Sequence, residues 1–154
     1  MIATLTKKLK QMILIERSPR KAALSFAFGV FIAFSPFVGF HTAMVFLFAW
    51  LFALNAALLF AVSILLNNPW TMVPIYATGH VVGDHIFYWL GIDAMYMNPS
   101  WVSSINNFIT RHTGMSGISF WAFMIGGHLL GLLLSIVVYF VVHHIVSQRM
   151  GSLG

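Results

Sequence analysis

From Ala22 to Gly83 the chain carries no Asp, Glu, Lys or Arg. That run of roughly sixty residues suffices for two to three bilayer crossings at about 20 residues each. A soluble helix needs a polar outer face, so a soluble core of this size does not go so long without charge. The pattern predicts an all-α integral membrane protein with about four transmembrane or partly re-entrant helices.

Punctuation divides the apolar residues into segments. Residues 1–17 place Ile2, Leu5, Leu9, Met12 and Ile13 on one helical face, with Lys7, Lys8 and Lys10 on the polar side. This predicts an amphipathic helix lying in the interface. Ser18-Pro19 starts the first apolar segment, 19–34, as N-cap and first helical residue. Within it Ser25, Gly29 and Ala33 form a small-residue stripe suited to close helix approach. Ser35, Pro36 and Gly39 then break the helix. A second segment spans 41–66, interrupted by Asn55 and Ser63, and ends at Asn67-Asn68-Pro69. The third covers 70–90, with Pro74 expected to kink it. The stretch 91–115 is more polar. Asn98-Pro99 opens a short helix there with Trp101, Ile105, Phe108 and Ile109 on one face, as an interfacial helix requires. The last segment spans 116–146, and 148–154 is a tail.

Two topologies fit this pattern. Four plain spans put both termini on one side, with Gly39 outside and Asn67 inside. Alternatively the Pro-containing breaks lie within the membrane, because the segment before Pro36 is short for a span of about 20 residues. Paired broken helices of that kind mark substrate sites in some transporters.

Charge then orients the chain. Six of the eight basic residues precede residue 22, so the positive-inside rule places both termini of a multi-pass protein on the cytoplasmic side. The net charge of +5 therefore reads as attraction to lipid headgroups, and no basic face supports nucleic-acid binding. The length of 154 residues implies a single membrane domain over 18–147. Cysteine is absent, which excludes disulfide and thiol chemistry.

Polar residues inside the apolar segments are the candidates for chemistry, since ionisable groups in a bilayer usually face a cavity or a partner. Asp84 is the one acid in the expected spans, and His80 lies one turn before it. With His41, His128 and Asn55 they form a candidate substrate or proton pathway, in competition with plain interhelical hydrogen bonding. A metal site is disfavoured, because His80 and His85 lack the spacing that puts two ligands on one face. Arg17, Arg20, Lys21, Asn67 and Asn68 form a candidate headgroup-binding set, in competition with orientation and helix capping. Gly79-His80-Val81-Val82-Gly83 and Gly127-His128-Leu129-Leu130-Gly131 repeat a Gly-x-x-x-Gly pattern that predicts close packing of the last two spans. On a functional reading it also sets the two histidines opposite each other. Ser35, Pro36, Gly39, Pro69 and Pro74 are the helix breaks.

Two motifs carry a resemblance. Ser18-Pro19-Arg20, Phe26 through Phe37 and Gly39-Phe40-His41-Thr42 form the first, and Asn68-Pro69-Trp70-Thr71-Met72-Val73-Pro74-Ile75-Tyr76 the second. Over roughly residues 15–145 the chain resembles the bacterial membrane family catalogued as domain of unknown function 2062. The resemblance implies a small inner-membrane protein, sometimes found beside envelope-related enzymes, and implies no reaction. No hydrolase motif and no cofactor site is evident, so the expected function is not enzymatic. It is that of a transporter or lipid-handling subunit. The alternative is a scaffold or assembly partner for an envelope-related enzyme. Expected partners are membrane lipids, a second copy in a homo-oligomer, or that enzyme.

Overall fold

The structure, a computed structural model, describes residues 18–37, 39–113 and 117–151. Every regular element among them is a helix: α1 (Pro19–Phe34), α2 (His41–Leu51), α3 (Ala56–Leu66), α4 (Pro69–Trp89), α5 (Ser100–Thr113) and α6 (Phe120–Gly151). The expected interfacial helix over 1–17, with Arg17, lies outside the described residues.

α1 begins and ends where its punctuation predicts. Ser18 caps it through a hydrogen bond from the Lys21 amide, Pro19 is its first residue, and Ser35 ends it in extended backbone. The small-residue stripe faces α3. A Cβ on Gly29 would lie 2.8 Å from that of Val62, so the two helices meet almost backbone to backbone. Ser25 and Ala33 are fully buried on the same face.

The segment 41–66 is not one span. It is a hairpin of two 11-residue helices, α2 and α3, each about 17 Å long at 1.5 Å per residue. That is little more than half of a hydrocarbon core of about 30 Å. Asn55 makes the break by capping α3, its Oδ1 accepting from the Leu58 amide at 3.0 Å. Ala53 takes a positive φ of 50° in the turn. The tip is tied to α1, because the Asn55 amide donates to Ser25 Oγ at 3.1 Å. Ile32, Val45, Leu54 and Leu59 form the core beneath the hairpin.

α3 and α4 meet at an 80° bend made by Asn67 and Asn68. Asn68 caps α4 with a full capping box, trading hydrogen bonds with Thr71. The α4 helix runs unbroken through Pro74, where the Thr78 hydroxyl donates to the Pro74 carbonyl at 2.7 Å.

α6 is the spine against which α1 and α4 pack. It starts four residues later than expected because Ser119 caps it, Oγ accepting from the Ala122 amide. It also runs past Arg149 to Gly151, since no glycine or proline interrupts that stretch. Gly79 and Gly83 press on this helix, but their partners are Gly126, Gly127 and Ala122, while Gly131 turns to Phe34 of α1. The expected glycine contact exists, with Gly126 as the member the repeat did not reveal. α1 and α6 run antiparallel, with Gly131 beside Phe34 and Val146 in one cluster with Ala22. Arg20 and Arg149 thus sit at one end of the molecule.

Phe120–Arg149 is long and apolar enough to cross a membrane, and only 17% of its most apolar window is buried inside the molecule. α3 and α4 meet the same criterion only as a bent pair, and α2 is a shorter apolar helix.

Glycine at the α4–α6 contact is a steric requirement, because a Cβ on Gly83 would overlap the Ala122 carbonyl. Gly83→Ala should cost about 1–3 kcal/mol, the usual range for overpacking. Thermal unfolding in detergent checks this, with Gly91→Ala as a comparison: no atom crowds its Cβ position, and its cost is set by a φ of +68° alone.

Candidate functional site

The two helix breaks come together. His41 opens α2 just after the Ser35-Pro36 break, and Asn67 sits at the α3–α4 bend. Because α2 and α3 fold back on each other, both lie at the same end of the hairpin. The Asn67 amide nitrogen donates to the Tyr76 hydroxyl oxygen at 2.9 Å and lies against the His41 ring, 3.2 Å from Nδ1 and 3.4 Å from Nε2. His41 Nε2 donates to the Ser35 carbonyl at 3.0 Å. A carbonyl only accepts, so Nε2 carries the proton and Nδ1 is the acceptor in the neutral ring. The Ser35 hydroxyl, fully buried, points to Met44 sulfur. Asn67 Oδ1 is buried and has no hydrogen-bond partner. Leaving such an acceptor unsatisfied costs about 1–3 kcal/mol.

This arrangement corrects the plain four-span topology, which set Gly39 and Asn67 on opposite sides. Gly39, at a φ of +88°, lies in the same turn as His41, so it sits beside Asn67. The physical reason is the break at 52–55, which turns one expected crossing into a return.

The other expected residues have separate surroundings. His80 Nε2 accepts from the Ser119 amide at 3.0 Å, closing the start of α6. His128 donates from Nδ1 to the Met124 carbonyl at 2.7 Å and packs edge-on against Phe37. The two histidines therefore face different partners rather than each other. Asp84 is exposed on a shallow depression of about 400 Å³ shared with Tyr88 and Asp93. His41, His80, Asp84 and His128 do not converge on one site, and the described residues hold no group of three metal-ligating side chains. Asn55 caps α3 at the far end of the hairpin from His41.

The headgroup set is also divided. Arg20 and Lys21 are exposed in the first turn of α1, whereas Asn67 meets the other end of that helix, about 24 Å away at 1.5 Å per residue. Pro69 opens α4 and Asn68 is fully used as its cap.

Sequence reasoning missed Tyr76 as a site residue, although it ends the second motif. It also missed the strap at the start of α6. There Asn98 accepts from the Phe120 amide and donates to the Ile118 carbonyl. Buried Asn106 bonds both backbone groups of Ile118. The signal was present as Asn98, Asn106 and Ser119 in the one polar internal stretch.

An apolar cleft of about 380 Å³ runs between α1 and α6, lined by Phe28, Phe31, Tyr139 and Phe140 among others. A second apolar cleft continues from it along α6, sharing Phe31 and Leu132 and reaching Trp121 and His128.

The family model described as "Uncharacterized protein conserved in bacteria (DUF2062)" matches residues 2–152, and the chain belongs to that family. No curated protein and no solved structure matches it.

The Asn67 bridge makes its two bonds interdependent. His41→Ala and Asn67→Ala should each destabilise the protein. Their double variant should fall short of the sum by about 0.5–3 kcal/mol, as for residues in one hydrogen-bond network. Thermal unfolding of the four proteins in detergent gives this coupling directly, and simple additivity would mean the bond contributes nothing.

Proposed function

We propose that this member of the bacterial family is a multi-pass inner-membrane protein that moves or presents lipids, with the polar node as the point that takes the headgroup. The observation that carries this is the node itself. Two broken segments bring an imidazole, an amide and a phenol together, leaving one buried oxygen without a donor. Paired half-span helices that meet at a polar point are the arrangement found around substrate sites in transporters.

The setting supports a membrane. Gly127, which packs beside Pro36, is seven residues from the start of α6, so the node lies about 10 Å from that end at 1.5 Å per residue. The same end is ringed by aromatic residues that project outward: Trp89 at 85% exposure and Tyr96 at 90%, with Tyr88 and Trp101. Trp and Tyr gather at membrane–water interfaces, and Lys and Arg on the cytoplasmic side. With Arg20, Lys21 and Arg149 at the opposite end, α6 crosses from the outer interface to the cytoplasm. The node then lies within the outer leaflet. α5 presents Trp101, Ile105 and Phe108 outward and lies along the outer surface.

Irregular backbone inside lipid must satisfy its own polar groups, and the amides of the hairpin tip are all bonded within the protein. The amides of Phe52, Ala53 and Leu54 bond to the carbonyls of Phe48, Trp50 and Ala49, and that of Asn55 bonds to Ser25. A lipid is favoured over a water-soluble cargo because the clefts along α6 are apolar and of a size for a hydrocarbon chain. No step of bond making is assigned to the node, whose groups lack a nucleophile with an adjacent base.

The purified protein in vesicles containing fluorescent-headgroup phospholipid should speed the exposure of inner-leaflet label to an external quencher. Asn67→Leu should reduce that rate toward protein-free vesicles, while Arg20→Gln should not. Equal rates with and without protein, or for wild type and Asn67→Leu, would sink the reading. The depth of the hairpin has its own test, because the native chain is free of cysteine. A thiol at Ala53 or at Thr42 should resist charged maleimides from both sides, while one at Ser103 should react from outside.

A further inference from the structure

Asn67 holds its two neighbours through one nitrogen while its oxygen stays buried and empty. In the neutral His41 ring, with Nε2–H on the Ser35 carbonyl, this orientation gives Nδ1 a donor, the same amide nitrogen lying 3.4 Å from Nε2. A proton on Nδ1 reverses the requirement. The ring then has N–H on both sides, and Nε2 keeps the Ser35 carbonyl. Nδ1 faces an amide nitrogen that has nothing to accept with. Turning the Asn67 amide over restores the contact. Its oxygen then accepts from His41 Nδ1–H and from the Tyr76 hydroxyl, and its nitrogen moves to the place the oxygen held.

We propose that Ser35, His41, Asn67 and Tyr76 form a proton-operated latch at the α3–α4 hinge, in which protonation of His41 is registered by reversal of the Asn67 amide. The latch adds a proton to the headgroup site proposed above. Its test does not use lipid movement, so the two readings fail separately.

The position makes the reversal consequential. Asn67 is the C-cap of α3, its own amide bonding the Ser63 carbonyl, and the next residue caps α4. The 80° bend therefore pivots on the residue that must turn. Tyr76 stands on the other arm and packs edge-on against Phe123 of α6 at 5.3 Å. Few groups face the ring. From α1 there is the Ser35 carbonyl, and from the bend Asn67 and, through it, Tyr76. From α6, His128 packs on Phe37 in the same turn. Further along α4, His80 is committed to Ser119 and Asp84 faces the outer depression.

The full chain in lipid nanodiscs is the sample. Spin labels on cysteines at exposed Ile64 in α3 and Val81 in α4 report the hinge. Isotopic labelling of histidine reports the His41 ring, assigned by its loss in His41→Gln. Over a pH series from about 8 to 5, the interlabel distance should shift together with the ring's gain of its second proton. His41→Gln and Asn67→Leu should both abolish the shift. If Asn67→Leu does not fold, Tyr76→Phe replaces it, keeping the ring on Phe123 while the shift shrinks. Three results would overturn the latch. These are protonation of the ring with no change in distance, a ring that stays neutral throughout, and an equal shift of the distance in His41→Gln.

Discussion

Each interruption of a helix frees backbone amides and carbonyls, and among the described residues several of the freed groups are taken up by the protein itself. The Asn55 amide goes to Ser25 of a neighbouring helix, and the Asn68 amide goes to the Thr71 hydroxyl. The Ser35 carbonyl takes the His41 ring, and the Leu66 carbonyl takes the Thr71 hydroxyl. In water such groups would find solvent. In the membrane setting we propose there is none, and each unsatisfied group would cost several kcal/mol. Polar side chains therefore cluster at the breaks, and the node at His41 and Asn67 is one product of that demand.

The second constraint is proximity. Helices in lipid gain little from the hydrophobic effect against each other, so they rely on packing. The α1–α3 and α4–α6 contacts both use glycine where a side chain would collide. α6 serves both sides at once. Gly126 and Ala122 admit α4, while Gly127 and Gly131 admit α1. One long helix thereby fixes the relation between the hairpin and the bent arm, and so the geometry of the node.

What was legible in the chain follows from where strong punctuation stands. α1 and α4 were readable to within a residue because Ser-Pro and Asn-Pro pairs mark their starts. The break at 52–55 was not, since no glycine or proline lies between Gly39 and Pro69. Only Asn55 hinted at it, and a single Asn is as readily a buried polar contact as a cap. That one ambiguity reversed the placement of Asn67 relative to His41, and with it the site. The histidines and Asp84 stand out in the sequence as polar residues within apolar segments. The Ser119 partner of His80 was hidden because it lies at the start of α6, which depends on how the loop before it folds. Ser119 and Asn98 became meaningful only once the start of α6 was known.

The shortness of α2 and α3 also bears on how such a chain is made. Neither is long enough to be stitched across a bilayer on its own as it leaves the insertion machinery. In the membrane setting we propose, the pair slips in together, with its tip already folded, beside a helix that presents Ser25. That helix, α1, is synthesised before them and carries exposed Arg20 and Lys21 in its first turn. Ser25 is thus a landing point for a segment translated thirty residues later, and the order of synthesis matches the order in which the contacts can form.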